Sequence, residues 1–131
     1  MSADPEFDIA FFESVVRRNA HDVRALMHLG NLYTGKGRID DGLEVDRRLL
    51  RLRPKDPLVH YNLACSLALK RQKAAAMRAL NRAVQLGYDD AEHLAEDPDL
   101  ATLHALPSFI RLLNELKLRS AAGLKNGYFL S

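Results

Sequence analysis

The chain has 131 residues, a size that suits one domain and can bury a real core. Hydrophobic residues make up 47% and charged residues 27%, a globular balance that excludes a disordered or fibrous chain. With 19 Lys and Arg against 17 Asp and Glu the net charge is only +2, so overall charge gives a nucleic-acid role no support.

Cys65 is the single cysteine, which excludes an intramolecular disulfide framework and a multi-cysteine metal site and suits a reducing compartment. The opening MSADPEFDIAFFESVV is acidic, with neither a basic segment nor a long apolar run, and does not read as a secretory leader. No stretch approaches the roughly 18 apolar residues that a membrane-spanning helix requires. The expected setting is the cytoplasm, without membrane partners.

In chain order, residues 5–20 are expected to form an N-terminal capping helix, amphipathic from Phe7 to Arg18, with Phe11, Phe12, Val15 and Val16 for burial. Asp22 then offers an N-cap to a helix beginning near Val23, in which Leu26, Leu29, Leu32 and Tyr33 recur at helical spacing. Gly35-Lys36-Gly37 stops it, because glycine takes the left-handed conformation at little cost. A second helix runs from about Ile39 to Leu52 on Leu43, Leu49, Leu50 and Leu52. Its acids, Asp40, Asp41 and Glu44, lie early and its arginines late, an order that complements the helix dipole, and Pro54 ends it.

The next pair opens on Asp56 as cap and Pro57 at the first helical position, where a missing amide costs nothing. Its helices cover about residues 57–70, with Leu63, Ala64, Leu67 and Leu69, and 73–86, with Ala76, Met77, Leu80, Ala83 and Val84. Arg71-Gln72 makes the turn without glycine, and Gly87 closes the pair. A shift of 34 residues lays 23–56 onto 57–90: Leu29 meets Leu63, Gly30 meets Ala64, and Arg48 meets Arg82. C-terminal capping helices are expected over 91–120: a short turn near Ala91 to Ala95, an Asp97-Pro98 start, and a helix from about Pro107 to Arg119 on Phe109, Leu112, Leu113 and Leu116. Residues 121–131 lack a helical period and read as a loose tail.

These units resemble the tetratricopeptide repeat, whose pattern is W-x2-L-G-x2-Y, then A-x3-F, then A and P. Leu29, Gly30, Tyr33 and Pro54 fit the pattern in the first unit, with Leu26 and Gly42 in the tryptophan and first alanine slots. Asp46 stands where an aromatic is usual and Leu49 where alanine is usual. In the second, Leu63, Ala76 and Ala83 fit, while His60, Ala64, Leu67, Leu80 and Tyr88 substitute. The stretch from Gly87 to Leu100, followed by Leu106-Pro107-Ser108-Phe109, is similar to a recurring ending of bacterial tetratricopeptide proteins. The resemblance implies an all-α, right-handed superhelix of helix-turn-helix repeats with capping helices, in one domain.

It also implies a concave groove lined by the first helix of each pair: Arg24, Met27, His28, Asn31 and Thr34, then Leu58, Tyr61, Asn62, Cys65 and Ala68. Such a groove suits an extended peptide or a partner helix. Asn31 and Asn62 occupy slots used by the branch that clamps carboxylates, but Met27, Glu92 and Glu96 stand where that clamp needs cations.

The five histidines show no metal-type pairing, Cys65 has no resolving partner, and no nucleophile, phosphate-loop or dinucleotide motif appears. Neither an enzyme, a cofactor nor a metal is expected. Charge is segregated: from Arg47 to Arg82 the sole acid is Asp56, whereas Asp89 to Asp99 holds no Lys or Arg. The preferred expectation is a non-catalytic scaffold that binds a segment of a partner protein, as a monomer or weak homodimer. One alternative is self-assembly through this charge asymmetry or the apolar tail 127–130. The other is RNA binding on Arg47, Arg48, Arg51, Arg78 and Arg82, although no interleaved aromatics favour base stacking.

Overall fold

The computed structural model describes residues 4–125 and 128–129, and its architecture is an all-helical repeat fold. The chain divides into two compact units, Met1–Pro54 and Lys55–Ser131.

The first unit holds α1 (Pro5–Arg18), α2 (Val23–Gly35) and α3 (Ile39–Leu52). The Asp4 carboxylate accepts from the Glu6 amide and starts α1, and the Asp22 carboxylate accepts from the Ala25 amide and starts α2. Each satisfies an amide that the helix itself cannot. The core joins Ile9 and Val16 of α1, Leu26 and Leu29 of α2, and Leu43, Val45 and Leu49 of α3. Phe11, expected to be buried, is 53% exposed, and Phe12 and Val15 are half-buried. Within this unit the main packing of α1 is against α2, and only a narrow stripe of it is covered.

The second unit holds α4 (Pro57–Leu69), α5 (Lys73–Gln85), α6 (Ala91–Glu96), a 3-10 helix (Pro98–Leu103) and α7 (Pro107–Ala121). Leu67, Ala76, Leu80, Ala83, Leu94, Leu100, Leu103, Phe109, Leu112 and Leu116 fill its interior. The 3-10 helix lies against α4, where the Thr102 hydroxyl donates to the Ala68 carbonyl at 3.0 Å. After α7, Leu124–Lys125 (β1) pairs antiparallel with Tyr128–Phe129 (β2). A short ladder thus stands in the segment expected to be loose. Gly123, at φ 75°, turns the chain out of the helix, and aromatic residues favour extended backbone. Gly127 and Leu130 of the apolar tail lie outside the described residues.

The two helical pairs solve the same turn with different residues. Gly37, at φ 78°, falls 34 positions before Arg71, which takes φ 62° and bears the strain of a side chain in the left-handed region. They also solve one helix-to-helix approach differently. A Cβ on Gly42 would sit 2.9 Å from the Thr34 Cγ2, whereas the equivalent positions, Ala68 and Ala76, are both alanine and wholly buried. Gly42→Ala is therefore expected to destabilise the chain, despite alanine's helix preference of about 1 kcal/mol. Adding Thr34→Ala should recover about 1–2 kcal/mol by making room, as measured by urea unfolding midpoints. A Gly42→Ala variant at least as stable as the parent would show that Thr34 yields freely.

Candidate functional site

On α2, Arg24, His28 and Asn31 stand four and then three residues apart, which places them in one exposed row. Met27 and Thr34 are half-buried on the same helix. The Phe12 ring of α1 stacks on the His28 imidazole, with centroids 5.0 Å apart and planes 14° from parallel. Phe11 meets Phe12 edge to face at 5.1 Å and leaves its own ring open to solvent. Two ties hold α1 in place. The Tyr33 hydroxyl donates to the Glu13 Oε2 at 2.6 Å, and the Lys36 ammonium lies 3.0 Å from the Glu6 carboxylate. Burial, together with the Glu13 carboxylate, pushes the Tyr33 phenol up to about 12. The result is a row of polar side chains bordered by an aromatic pair. Sequence periodicity assigned both phenylalanines to the core; what marks them is that a first helix packed mainly on one neighbour cannot bury a wide face.

On α4 the outcome differs. Leu58 is 51% exposed and Asn62 half-buried, but Tyr61, Cys65 and Ala68 are buried. Those three cannot line an open wall, which corrects the groove assignment made from the repeat pattern. The physical reason is Asp97, itself only 9% exposed. Its Oδ2 accepts from the Tyr61 hydroxyl at 2.6 Å and from the Cys65 thiol at 3.7 Å, and the His93 Nε2 approaches it to 3.4 Å. Its Oδ1 accepts from the Asp99 amide and so caps the 3-10 helix. Tyr88 stacks on Tyr61 at 4.4 Å, nearly parallel, and closes the other side. A buried carboxylate is tolerable only when its oxygens are engaged, and here both are.

The same cluster is where metal or nucleophile chemistry would have to be sought. The Cys65 sulfur and the carboxylate oxygens of Asp97 and Asp99 lie within 4.8 Å of one another. Burial drives the Cys65 thiol far above its ordinary range, and Asp97 and Asp99 add to the effect. Burial and then Asp97 raise the Asp99 carboxyl as well. A thiol that holds its proton this firmly is a poor nucleophile, and it offers a metal no thiolate until that proton is lost.

A third feature is an open cleft of about 760 Å³ between α6 and the end of α7, lined by Asp89, Asp90, Glu92 and Glu96, with Lys117 as the one cation among the described lining residues. Acids on this surface oppose capture of a carboxylate.

Asp97→Ala is expected to cost about 3 kcal/mol, from the lost cap and the stranded Tyr61 hydroxyl, and to let a thiol reagent reach Cys65 faster. Tyr61→Phe should cost about 2 kcal/mol. Thermal unfolding and thiol-modification rates measure both, and unchanged values in Asp97→Ala would dismiss the cluster as an organiser. Burial also pushes the Tyr88 phenol up to about 12. Its unfolded form ionises near 10, so the folded state holds the proton longer and stability falls as pH rises from about 10 to about 12. The loss per pH unit is at most about 1.4 kcal/mol from this residue, and Tyr88→Phe should flatten the slope in urea titrations across that range.

Known proteins resemble this chain in sequence or in fold. The chain is 30% identical over 89 residues, 66% of its length, to a chloroplastic protein of Arabidopsis thaliana, and spans 27% of that protein. Two crystal structures of MamA superpose with TM-scores of 0.67 and 0.69, at 21% and 22% identity. They cover 86% and 88% of this chain, which spans 64% and 63% of theirs, and they establish likeness of fold. The family profile described as tetratricopeptide repeat matches residues 9–57 and 35–91. Those matches, on helical pairs repeating every 34 residues, place the chain in the tetratricopeptide repeat family, whose domains are protein-interaction modules.

Proposed function

We propose that the chain is a non-catalytic adaptor that binds an extended segment or helix of another protein along the exposed row of α2. The observation that carries this reading is the Phe12–His28 stack, with Phe11 open to solvent beside it. Aromatic and arginine side chains supply most of the binding energy at protein interfaces, and here Phe11 and Arg24 belong to one unit without forming part of its core. Asn31 and His28 add polar groups suited to a partner's backbone. Met27 and Thr34 are half-buried on the same helix. A protein with one buried cysteine fits a reducing setting such as the cytoplasm.

The test is quantitative affinity capture from the source cell, comparing the parent with Phe11→Ala/Arg24→Ala. Neither residue lies in the core, so circular dichroism and the unfolding midpoint should be unchanged. Recovery of the principal partner should drop roughly tenfold or more. Equal recovery would sink the assignment of this face.

A further inference from the structure

A small pocket in the first unit, about 150 Å³, lies where the loop between α1 and α2 meets the last turn of α3. Ala20, His21, Arg48, Arg51 and Leu52 line it, and among the described residues no carboxylate does. Arg48 and Arg51, three residues apart, project from adjacent turns of one helical face. One N–H of Arg48 is donated to the Ala20 carbonyl at 3.2 Å, which fixes the guanidinium against the loop and leaves its other donors for a ligand. Arg51 has no ion pair or side-chain hydrogen bond among the described residues. The acids nearest in sequence are Asp22, Glu44 and Asp46: Asp22 accepts from the Ala25 amide, Asp46 is buried, and none of the three lines the pocket.

We propose that Arg48, Arg51 and His21 form an oxyanion site that takes the phosphate of a phosphorylated serine or threonine on a partner protein. Two guanidinium forks and an imidazole, with no opposing acid in the lining, match a dianion that offers several acceptor oxygens. The end of α3 carries the unfavourable end of its helix dipole, but the loop leads directly into the favourable start of α2. A single small pocket fits one phosphate monoester better than a track of phosphodiesters. Nor does the lining contain an aromatic on which a base could stack. The site is separate from the Arg24 row of α2, and its failure would leave that reading standing.

The test is titration of the full chain with N-acetyl-O-phosphoserine amide, followed by the amide and arginine N–H signals in nuclear magnetic resonance spectra. Saturable shifts centred on Ala20, His21, Arg48 and Arg51 are expected, absent with the unphosphorylated amide. Arg51→Gln breaks no ion pair or side-chain hydrogen bond among the described residues and should weaken binding roughly tenfold, while Arg51→Lys recovers part of it. Non-saturating shifts, or an unchanged affinity in Arg51→Gln, would overturn the site. N-acetyl-aspartate amide binding as tightly would overturn the phosphate class. Tighter binding of inorganic phosphate would overturn a protein-borne source. Tighter binding of an oligouridylate at equal salt would assign the pocket to nucleic acid instead.

Discussion

The hydrogen bond from Tyr61 to Asp97 is the constraint on which the second unit depends. A buried carboxylate costs several kcal/mol unless it is engaged, so Asp97 forces its surroundings to supply donors. Tyr61 and Cys65 come from α4, and the Asp99 amide comes from the start of the 3-10 helix. One side chain therefore fixes both where α6 ends and how the next segment lies on α4. Thr102, donating to the Ala68 carbonyl, repeats the attachment farther along. Leu94, Leu100 and Leu103 then bury completely. The polar bonds set the register of this segment and the leucines supply most of the burial energy.

Equivalent positions of the two first helices meet opposite ends. A shift of 34 residues carries Met27, Asn31 and Thr34 onto Tyr61, Cys65 and Ala68. The first set is exposed or half-exposed; the second is buried. Composition follows the difference: an amide and a hydroxyl remain at 31 and 34, while a thiol and a methyl stand at 65 and 68. The slot in the repeat is shared. What covers it is local, and in the second unit the cover is the segment from Asp97 to Leu103. Treating all ten groove positions as one surface overlooked that later residues could cover three of them.

Much of the fold was legible because its signals were local. Asp22 and Asp56 as caps, Pro57 at a first position and the 3.6-residue stripes each act within a turn or two of chain. Placement of Phe11, Phe12 and Tyr61 was not legible in the same way. Periodicity says which residues share a helix face, but not how many neighbours that face has. Phe11 is exposed because, within its unit, α1 packs mainly on α2; Tyr61 is buried because Asp97, 36 positions on, needs its hydroxyl. The Asp97-Pro98 pair read correctly as a helix start, yet its second role, as an acceptor for α4, depends on a contact that no local pattern encodes.

The charge pattern poses the remaining question of what the fold does not use. The ion pairs of Arg38 with Asp41, Arg119 with Glu115 and Lys36 with Glu6 are all exposed, and such pairs contribute at most about 1 kcal/mol each. Arg47 and Arg51 enter none of them, and Arg48 spends a single donor on the Ala20 carbonyl. Arg51, in the last turn, gains through the helix dipole, but Arg47 lies too far from the terminus to gain much. Cations that the interior neither pairs nor needs act outward, and their field favours the approach of an anionic partner group to α3.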